Sequence, residues 1–445
     1  MKATPESLRA IAKKVLVASP APQTEVSVDA SADSWLRFAA GTVSTSGSVE
    51  RVSLRVTVAY GTRTGTARTE DVSPDGLVRA VRQAADLAKI LPPSPEYMAP
   101  VPPQRYPIAA SAWDGATAAS SAASRAAIAA ACLDAAKAAG LVAAGFHQVS
   151  ESASAFVNSA GASGVHRATS ASLECTLRTP DGAQSGWAGA YSPRLASIDA
   201  AAVAKRAADK ATRWKEPVAL APGRYTAILE PAAVEPLLGY VLGSLDRRDA
   251  DDGTSPFSAA DGKTRIGEAM FTEKLSLVCD PADKAIPGSP FAEDGLAAKR
   301  FVAVDKGTLV ALPVSRYWAK QKKLEVSADA GNWSLTFADP DPKGVEGLIA
   351  STERGILVTR IWYVRMLSPQ NLTVTGLTRD ATFLVENGQV TSAIKNFRIN
   401  QSLLEMFKNV AGASAPAPFP AGDGWMGIPA LKVNDLNFSS LSDAV

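Results

Sequence analysis

Histidine and cysteine are scarce in this chain of 445 residues, which contains two histidines and three cysteines. A catalytic zinc site in a peptidase needs two imidazoles on one helix face, plus a further ligand. His147 and His166 are 19 positions apart, in segments that indicate a strand and a turn, so an HExxH site is excluded. Cys132, Cys175 and Cys279 are odd in number and lack CxxC spacing, which argues against disulfides or a zinc knot and favours a reducing compartment.

An excess of charge and a long apolar run are also absent. Lys and Arg number 46 against 44 Asp and Glu, a net charge of +2, so no strong field would attract nucleic acid. No stretch approaches the roughly 18 apolar residues of a membrane-spanning helix. Lys13 and Lys14 interrupt the first apolar stretch, unlike a secretory signal. We therefore expect a cytoplasmic protein with neither nucleic acid nor membrane as a partner.

The composition is that of a folded protein, with 46% hydrophobic and 20% charged residues, and the length predicts two to four domains. An internal repeat is present in the first half. Gly61 and Gly65 have counterparts in Gly182 and Gly186, and the run Ala-Ala-Asp at 84–86 returns at 207–209. The sequence therefore predicts two related modules, residues 1–107 and 108–217, followed by a third region, 218–445.

Hydrophobic periodicity predicts the same order of elements in each module. The first module has helices at 6–16 and 74–91, the second capped by Ser73, and strands at 24–30, 34–44 and 51–61. The second has helices at 124–139 and 199–212, and strands at 142–151, 154–161 and 172–179. Between them, residues 92–107 contain seven prolines and indicate an extended connector.

The third region is rich in strand patterns. A strand at 225–230 precedes a mostly helical segment, 231–245, that Pro236 is expected to interrupt. Hairpin turns are predicted at 305–307 and at Asn387 and Gly388. A short helix at 402–410 precedes a Pro/Ala/Gly segment, 411–424, that indicates a loop. The predicted fold is α+β, with two duplicated sheet-and-helix modules and a β-rich, barrel-like C-terminal domain.

Other candidate sites are weak. No GxSxG elbow occurs, and Cys175 lies in a strand pattern typical of a buried thiol, which argues against a pairing with His166. The phosphate-loop-like triplet at 262–264 lacks its upstream glycine. Trp333, Trp362 and Tyr363 fit core or interface packing better than ligand stacking. The carboxylates Asp249, Asp251 and Asp252 do not match the spacing of a calcium loop.

Several segments together resemble the TldD/PmbA family, in which PmbA is also called TldE. They are residues 280–310, 347–362 and 383–410 in the third region, and 55–89 in the first module. Members are labelled modulators of DNA gyrase and understood as subunits of a two-chain, metal-dependent peptidase. The residues themselves show no basic stripe or recognition helix that would support a gyrase role.

The resemblance implies a degenerate active site in this chain. In the TldD subunit, HExxxH opens the third domain and a metal-binding cysteine lies near the C-terminus. Here Glu235 stands at the first histidine, Pro236 at the glutamate and Tyr240 at the second histidine. The glycine-rich stretch 422–429 offers Trp425 and Met426 instead of cysteine. The chain is therefore similar to the non-catalytic TldE/PmbA subunit, with no catalytic residue, metal ligand or cofactor of its own.

By the same resemblance, the function would be to pair with a TldD-like subunit that carries zinc, as a heterodimer that degrades unfolded peptides. Alone, the chain would be inactive as an enzyme. The alternative is a stand-alone peptide-binding or scaffold paralogue without peptidase activity, which could also self-associate. A third possibility is separate carboxylate chemistry, with Glu235 or the residues 249–252 binding a cation such as Mg²⁺.

Overall fold

A computed structural model describes residues 4–421 and 424–442 of the chain. The fold is α+β, as predicted, with three sheets. The first half of the chain builds one sheet covered by helices, and the second half builds a barrel and a further sheet. No helix among the described residues is long and apolar enough to cross a membrane.

The two modules have matching elements, as the internal repeat predicts. Five helices belong to this half: α1 (Pro5–Ala18), α2 (Pro74–Ile90), α3 (Gly115–Ala118), α4 (Ala122–Ala138) and α5 (Ala200–Arg213). Its strands are β1 (Gln23–Ala39), β2 (Thr42–Tyr60), β3 (Arg63–Thr69), β4 (Val142–Asn158), β5 (Ser163–Arg178) and β6 (Ser185–Ser192). Ser73 accepts a hydrogen bond from Gly76 N and caps α2, as predicted.

The six strands form one antiparallel sheet in the order β3-β2-β1-β4-β5-β6. The modules join where β1 pairs with β4, from Glu25 opposite Asn158 to Ala39 opposite Ala144. The strands are longer than predicted: β1 covers most of the two segments 24–30 and 34–44, and β4 covers 142–151 and most of 154–161. The serine and alanine residues in the gaps are weak strand formers, and pairing on both sides of each strand keeps these residues extended.

All four long helices pack on the same face of this sheet. Helices α1 and α2 cover the β1–β3 side, and α4 and α5 cover the β4–β6 side. The repeated glycines explain the matching sequence. A Cβ on Gly65 or Gly186 would collide with the backbone of α2 or α5, at Ala84 and Ala207 respectively. These two glycines let each helix lie directly against its strand.

In the described part of the second half there are five α-helices and thirteen strands. The helices are α6 (Pro231–Leu242), α7 (Arg247–Asp251), α8 (Arg316–Lys322), α9 (Val345–Ala350) and α10 (Leu403–Lys408). The first strands are β7 (Gly223–Leu229), β8 (Leu275–Cys279), β9 (Phe301–Asp305), β10 (Thr308–Leu309), β11 (Trp333–Phe337), β12 (Arg354–Ser368) and β13 (Thr373–Glu386). The rest are β14 (Gln389–Ile394), β15 (Phe397–Ser402), β16 (Val410–Ala413), β17 (Ala417–Ala421), β18 (Gly424–Ile428) and β19 (Leu431–Leu441).

Five of these strands close a barrel, which confirms the barrel-like expectation. Each pairs with the next in the order β12-β7-β19-β15-β13, and β13 returns to pair with β12. Strand β14 extends β13 through the predicted hairpin at Asn387 and Gly388. The third sheet, in the order β10-β9-β8-β11-β18-β17, packs beside the barrel with α6 in the shared core.

Two expectations for this half were wrong. Residues 411–424 are largely strand, because β16 pairs with β19 and β17 pairs with β18; Gly422 and Asp423 lie outside the described residues. Pro236 does not interrupt α6, which runs unbroken from Pro231 to Leu242. Leu237, Leu238 and Val241 are fully buried on this helix, and their packing offsets the hydrogen bond that proline cannot make.

Candidate functional site

Helix α6 carries the three positions where the family motif is expected. Pro231 begins the helix, and Glu235 lies one turn further on, half-buried. The phenol of Tyr240 donates a hydrogen bond of 3.0 Å to Val364 O in β12. Gly239 is exposed and has open space beside it. Glu235 is therefore the single ionisable carboxylate that α6 presents on this open side.

The strand with the expected cysteine position does lie next to α6. Helix α6 contacts β18, where Trp425 and Met426 are 5% and 6% exposed. Met426 pairs with Trp333 of β11 on one side and with Phe419 of β17 on the other. The fold therefore brings together the two segments in which the resemblance implies motif positions, and in β18 these positions carry the apolar side chains of Trp425 and Met426.

Two residues of the N-terminal sheet face Glu235. Tyr191 of β6 donates a hydrogen bond of 2.7 Å to Oε1 of Glu174 in β5. Burial raises the pKa of Glu235, and the charge of Glu174 raises it further. Burial also raises the pKa of Tyr191, with contributions from Glu174 and Glu235. The three groups form an acidic wall where the sheet meets the C-terminal half, a region called the cleft below.

A basic wall adjoins it. Arg360 of β12 places Nε 3.0 Å from Oδ2 of Asp380, and Arg379 Nε lies 3.8 Å from the same oxygen. Ser185 of β6 donates to Asp380 Oδ1 at 3.3 Å. Asp380 is 2% exposed, so its charge needs these partners. The guanidinium of Arg360 also acts electrostatically on Tyr191, which connects the two walls.

The backbone at Asp380 is unusual. Asp380 and Ala381 have φ angles of +58° and +81°, in the left-handed region that non-glycine residues seldom adopt. They fall at an irregularity in the β12–β13 pairing, where Val358 pairs with Thr382 but Arg360 pairs with Arg379. Such conformations cost roughly 1–3 kcal/mol each and persist only where the surroundings hold them. The bulge aims Asp380 at Arg360.

Aromatic rings line the cleft. Arg360 lies over the ring of Trp187 at 5.0 Å from the centroid, and Arg379 lies over Trp362 at 3.8 Å. The rings of Tyr191 and Phe419 have centroids 4.7 Å apart. Strand β6 is an edge of the first sheet and β17 an edge of the third, so this ring pair joins two sheet edges across the cleft.

The face of the first sheet opposite the helices is polar beyond the cleft. Ser150 donates to Asp33 Oδ1 at 2.6 Å, and Gln148 donates to the same oxygen at 3.2 Å. Cross-strand pairing places further polar side chains in neighbouring rows on this face: Asp29, Ser31, Ser152, Ser154, His166, Ser170 and Ser172. A polar surface therefore leads along the sheet to Glu174 and Tyr191.

These residues do not fit a zinc ion, the metal that the family motif would bind. Zinc in a peptidase takes histidine, cysteine and carboxylate ligands. At the motif positions only Glu235 is such a group, since Tyr240 is committed to Val364 O and Trp425 and Met426 are apolar. Among the described residues, no group of three or more His, Cys, Asp or Glu could hold a metal.

Neither histidine belongs to a metal-binding group among the described residues. His147 is fully buried in β4, where Nδ1 bonds Ser172 O at 2.7 Å, and burial lowers its pKa. His166 was predicted in a turn but lies in β5, opposite Ser154. The nearby glycines suggested a turn, although strand pairing continues to Ser163. Burial lowers the pKa of His166 to about 4, so it is neutral at pH 7.

The cysteines and loop carboxylates are structural. Cys132 and Cys175 are fully buried and contact each other between α4 and β5; His166 is nine residues from Cys175 along the same strand, roughly 30 Å away. Asp251 receives a hydrogen bond of 2.8 Å from Trp318 Nε1 and one of 3.1 Å from Arg247. These contacts occupy the carboxylate that a calcium loop would need.

Sequence reasoning missed Glu174, Tyr191, Arg360 and Asp380. The available signal was charge inside strand patterns, since arginines at 360 and 379 interrupt two apolar segments. A charged side chain within a strand usually faces solvent or a partner. The sequence alone does not say that two distant strands bring these charges to one carboxylate.

Three successive sequence profiles match the chain. They describe the PmbA/TldA metallopeptidase domain 1 at residues 24–88, the central domain at 117–213 and the C-terminal domain at 222–440. A protein named "Metalloprotease" from Methanothermobacter thermautotrophicus is 25% identical over 297 residues. That alignment covers 62% of this chain and 63% of the relative, so it spans less than two thirds of either protein.

Solved structures share the fold over nearly the whole length. TldE from Thermococcus kodakarensis is 18% identical with a TM-score of 0.83, covering 97% of this chain and 99% of that chain. A structure titled as a modulator of a DNA gyrase, from Thermotoga maritima, is 16% identical with a TM-score of 0.81 and coverage of 97% and 98%. The profile matches, which span most of the sequence, identify this chain as a member of the PmbA/TldA (TldD/PmbA) metallopeptidase family.

Proposed function

We propose that this chain is a non-catalytic, TldE-like subunit that pairs with a zinc-bearing TldD-like chain and helps to bind unfolded peptides for proteolysis. The observation that supports the proposal is the chemistry of α6, which carries Glu235, Pro236 and Tyr240 where the resemblance implies the HExxxH motif. A subunit with this set of side chains contributes surface and not metal chemistry. Zinc would come from the partner.

The cleft offers an unfolded peptide two kinds of contact. The edge strand β6 has main-chain groups that can pair with an extended chain, an interaction that tolerates many sequences. The polar sheet face provides hydroxyl and carboxylate groups beside them, including Asp33 and Ser150. This combination favours peptide binding mainly through main-chain hydrogen bonds, with additional contacts to peptide side chains.

Exposed apolar groups on β12 support pairing with another subunit. Tyr363 is 56% exposed and Leu367 is 55% exposed, on the strand that also carries Arg360. Apolar side chains on a surface often mark protein interfaces when they cluster. The partner would be a TldD-like chain in a heterodimer, or a second copy of this chain if it self-associates.

Co-expression with a TldD-like chain from the same genome tests the proposal. We expect the two chains to co-purify. The complex should contain zinc and cleave an unfolded protein, and both properties should require an intact HExxxH motif in the partner. Purified alone, this chain should bind no stoichiometric zinc. Stoichiometric zinc on the isolated chain, or an activity of the isolated chain that Glu235→Gln abolishes, would overturn the proposal.

The absence of any complex would favour the alternative, a stand-alone peptide-binding or scaffold protein. In that case the chain, immobilised on a column, should still retain an unfolded peptide and should not cleave it. The cytoplasmic location suggested by the cysteine content stays a prediction. Fractionation of cells that express the full chain would test it.

A further inference from the structure

The basic wall of the cleft holds more positive charge than its carboxylate can balance. Arg360 and Arg379 share Asp380, and Arg178 of β5 is close enough to act electrostatically on Arg379. Among the described residues, Arg178 has no acidic partner within ion-pair distance. Two guanidinium groups therefore share one buried carboxylate, and the third, on Arg178, lies near them, since Arg178 pairs across the sheet with Ser185, a hydrogen-bond partner of Asp380. Arginine stays charged at any physiological pH.

This excess charge is held in place. Trp362 packs under the guanidinium of Arg379, and Trp187 lies under that of Arg360. The side chains of Arg360 and Arg379 are 26% and 20% exposed, so they are partly removed from water but still open to a ligand. A stacked guanidinium loses little further freedom when it binds an anion.

Polar atoms in the same place lack partners. Arg379 Nε and Trp362 Nε1 are buried donors without a hydrogen-bond acceptor, and Asp380 Oδ2, 3.8 Å from Arg379 Nε, is a buried acceptor that makes no hydrogen bond either. Native structures usually supply an acceptor to a buried donor. Asp380 carries a single negative charge, so the unpaired indole N–H of Trp362 and the extra positive charge of the arginines point to a further, anionic acceptor.

From this geometry we infer that Arg178, Arg360 and Arg379 form a subsite for a carboxylate group of a bound peptide, either its free C-terminus or an Asp or Glu side chain. The inference deepens the proposed function and depends on it for the identity of the ligand. Arginine matches a planar carboxylate with two parallel hydrogen bonds, which a neutral amide cannot accept in the same way. The acidic wall at Glu174 and Glu235 would repel the same group, so a peptide would bind in one orientation.

Three small probes test the subsite without requiring peptide binding. N-acetylglycine carries a free C-terminal carboxylate. N-acetylglutamate amidated at its α-carboxyl group carries only a side-chain carboxylate, and N-acetylglycinamide carries no carboxylate. Each is titrated into the full chain while the indole N–H signal of Trp362 is followed by NMR, after assignment with Trp362→Phe. At least one carboxylate probe should bind about tenfold more tightly than the neutral amide. Which one does identifies the source of the carboxylate.

Variants locate the binding. Arg379→Gln and Arg178→Gln should each remove the advantage of the carboxylate probe, and both leave the ion pair of Arg360 with Asp380 intact. Arg82→Gln, on the exposed face of α2, is the matched control and should keep the advantage. Equal binding of the amide and the acids, or an advantage that survives both variants, would overturn the inference. If the probes bind but unfolded peptides do not, the subsite stands and the proposed function fails.

Discussion

Glu235 on α6 and Glu174 on β5 face the same cleft from opposite halves of the chain, close enough for the charge of Glu174 to raise the pKa of Glu235. Burial of Glu235 is the larger cause. A carboxyl group whose pKa is raised on folding binds its proton more tightly in the folded state. The ionised form therefore destabilises the fold, and this effect grows as the pH rises from about the ordinary value of 4.5 through the raised value.

The Glu235→Gln variant should consequently be more stable than the parent chain at pH 7, by roughly 0.5–1 kcal/mol in the free energy of unfolding. Below the ordinary pKa of glutamate the gain should vanish, because the parent is then protonated in both states. Urea unfolding at the two pH values measures this. Glu50→Gln, at an exposed position of β2, is the control, and a gain of equal size at both pH values would contradict the expectation.

Asp380 is the second target, because it balances two arginines while 2% exposed. Asp380→Asn keeps the shape and tolerates the left-handed backbone, yet removes the charge. We expect a loss of about 2–4 kcal/mol in unfolding free energy, since the guanidinium groups lose a buried partner. Asp209→Asn removes an exposed partner of Lys205 in α5 and should cost at most about 0.5 kcal/mol. Similar losses for both variants would argue against the ion pair at Asp380.

Two glycines of the second module, Gly186 and Gly182, should respond differently to substitution by alanine. A Cβ on Gly186 would meet the backbone of α5, whereas a Cβ on Gly182 would meet nothing within 4 Å. Gly186→Ala should therefore force the helix off the sheet and cost about 3 kcal/mol or more. Gly182→Ala should cost only about 1–2 kcal/mol, the strain of a left-handed φ of +75°. Thermal unfolding of the two variants gives the order, and equal melting temperatures would contradict it.

The thiols should be unreactive in the folded protein. Cys132, Cys175 and Cys279 are each fully buried. Burial raises the pKa of Cys279 to about 11, and the hydrogen bond with Cys132, together with burial, raises the pKa of Cys175, so these two thiols carry little thiolate at pH 8. The hydrogen bond with Cys175 lowers the pKa of Cys132, so Cys132 is protected by its burial alone. A thiol reagent such as Ellman's should react with the native chain far more slowly than with the chain in guanidinium. Fast reaction of one thiol under native conditions would show that one of these sites opens.

Local patterns predicted much of this fold. Periodicity located every long helix to within a few residues, because α2 and α5 have apolar faces and side-chain caps at Ser73 and Asp199. Strand ends were less well predicted, since pairing partners decide where β1 and β4 stop. The loop expected at 411–424 shows the same limit: its prolines are tolerated because β17 lies at a sheet edge.

The site was harder to predict than the fold. The resemblance implies motif positions at Glu235, Pro236 and Tyr240, but the sequence does not predict the residues that surround them. Glu174 and Arg360 are 186 positions apart in sequence, and both act on Tyr191 only because β6 packs against the barrel. Long-range contacts of charged groups leave no local periodicity in a single sequence.

The antiparallel pairing of β1 with β4 relates the two modules by a rotation of half a turn, as in a symmetric dimer fused into one polypeptide. Each module, taken alone, would have an exposed edge strand of 17 residues, and the unpaired main-chain N–H and C=O groups of this strand would pair with any available strand. A chain cut in the proline-rich connector would therefore yield two fragments that reassociate with each other or pair with their own copies. The connector serves mainly to keep the two complementary edges at high local concentration, so that the correct pairing forms before an intermolecular one.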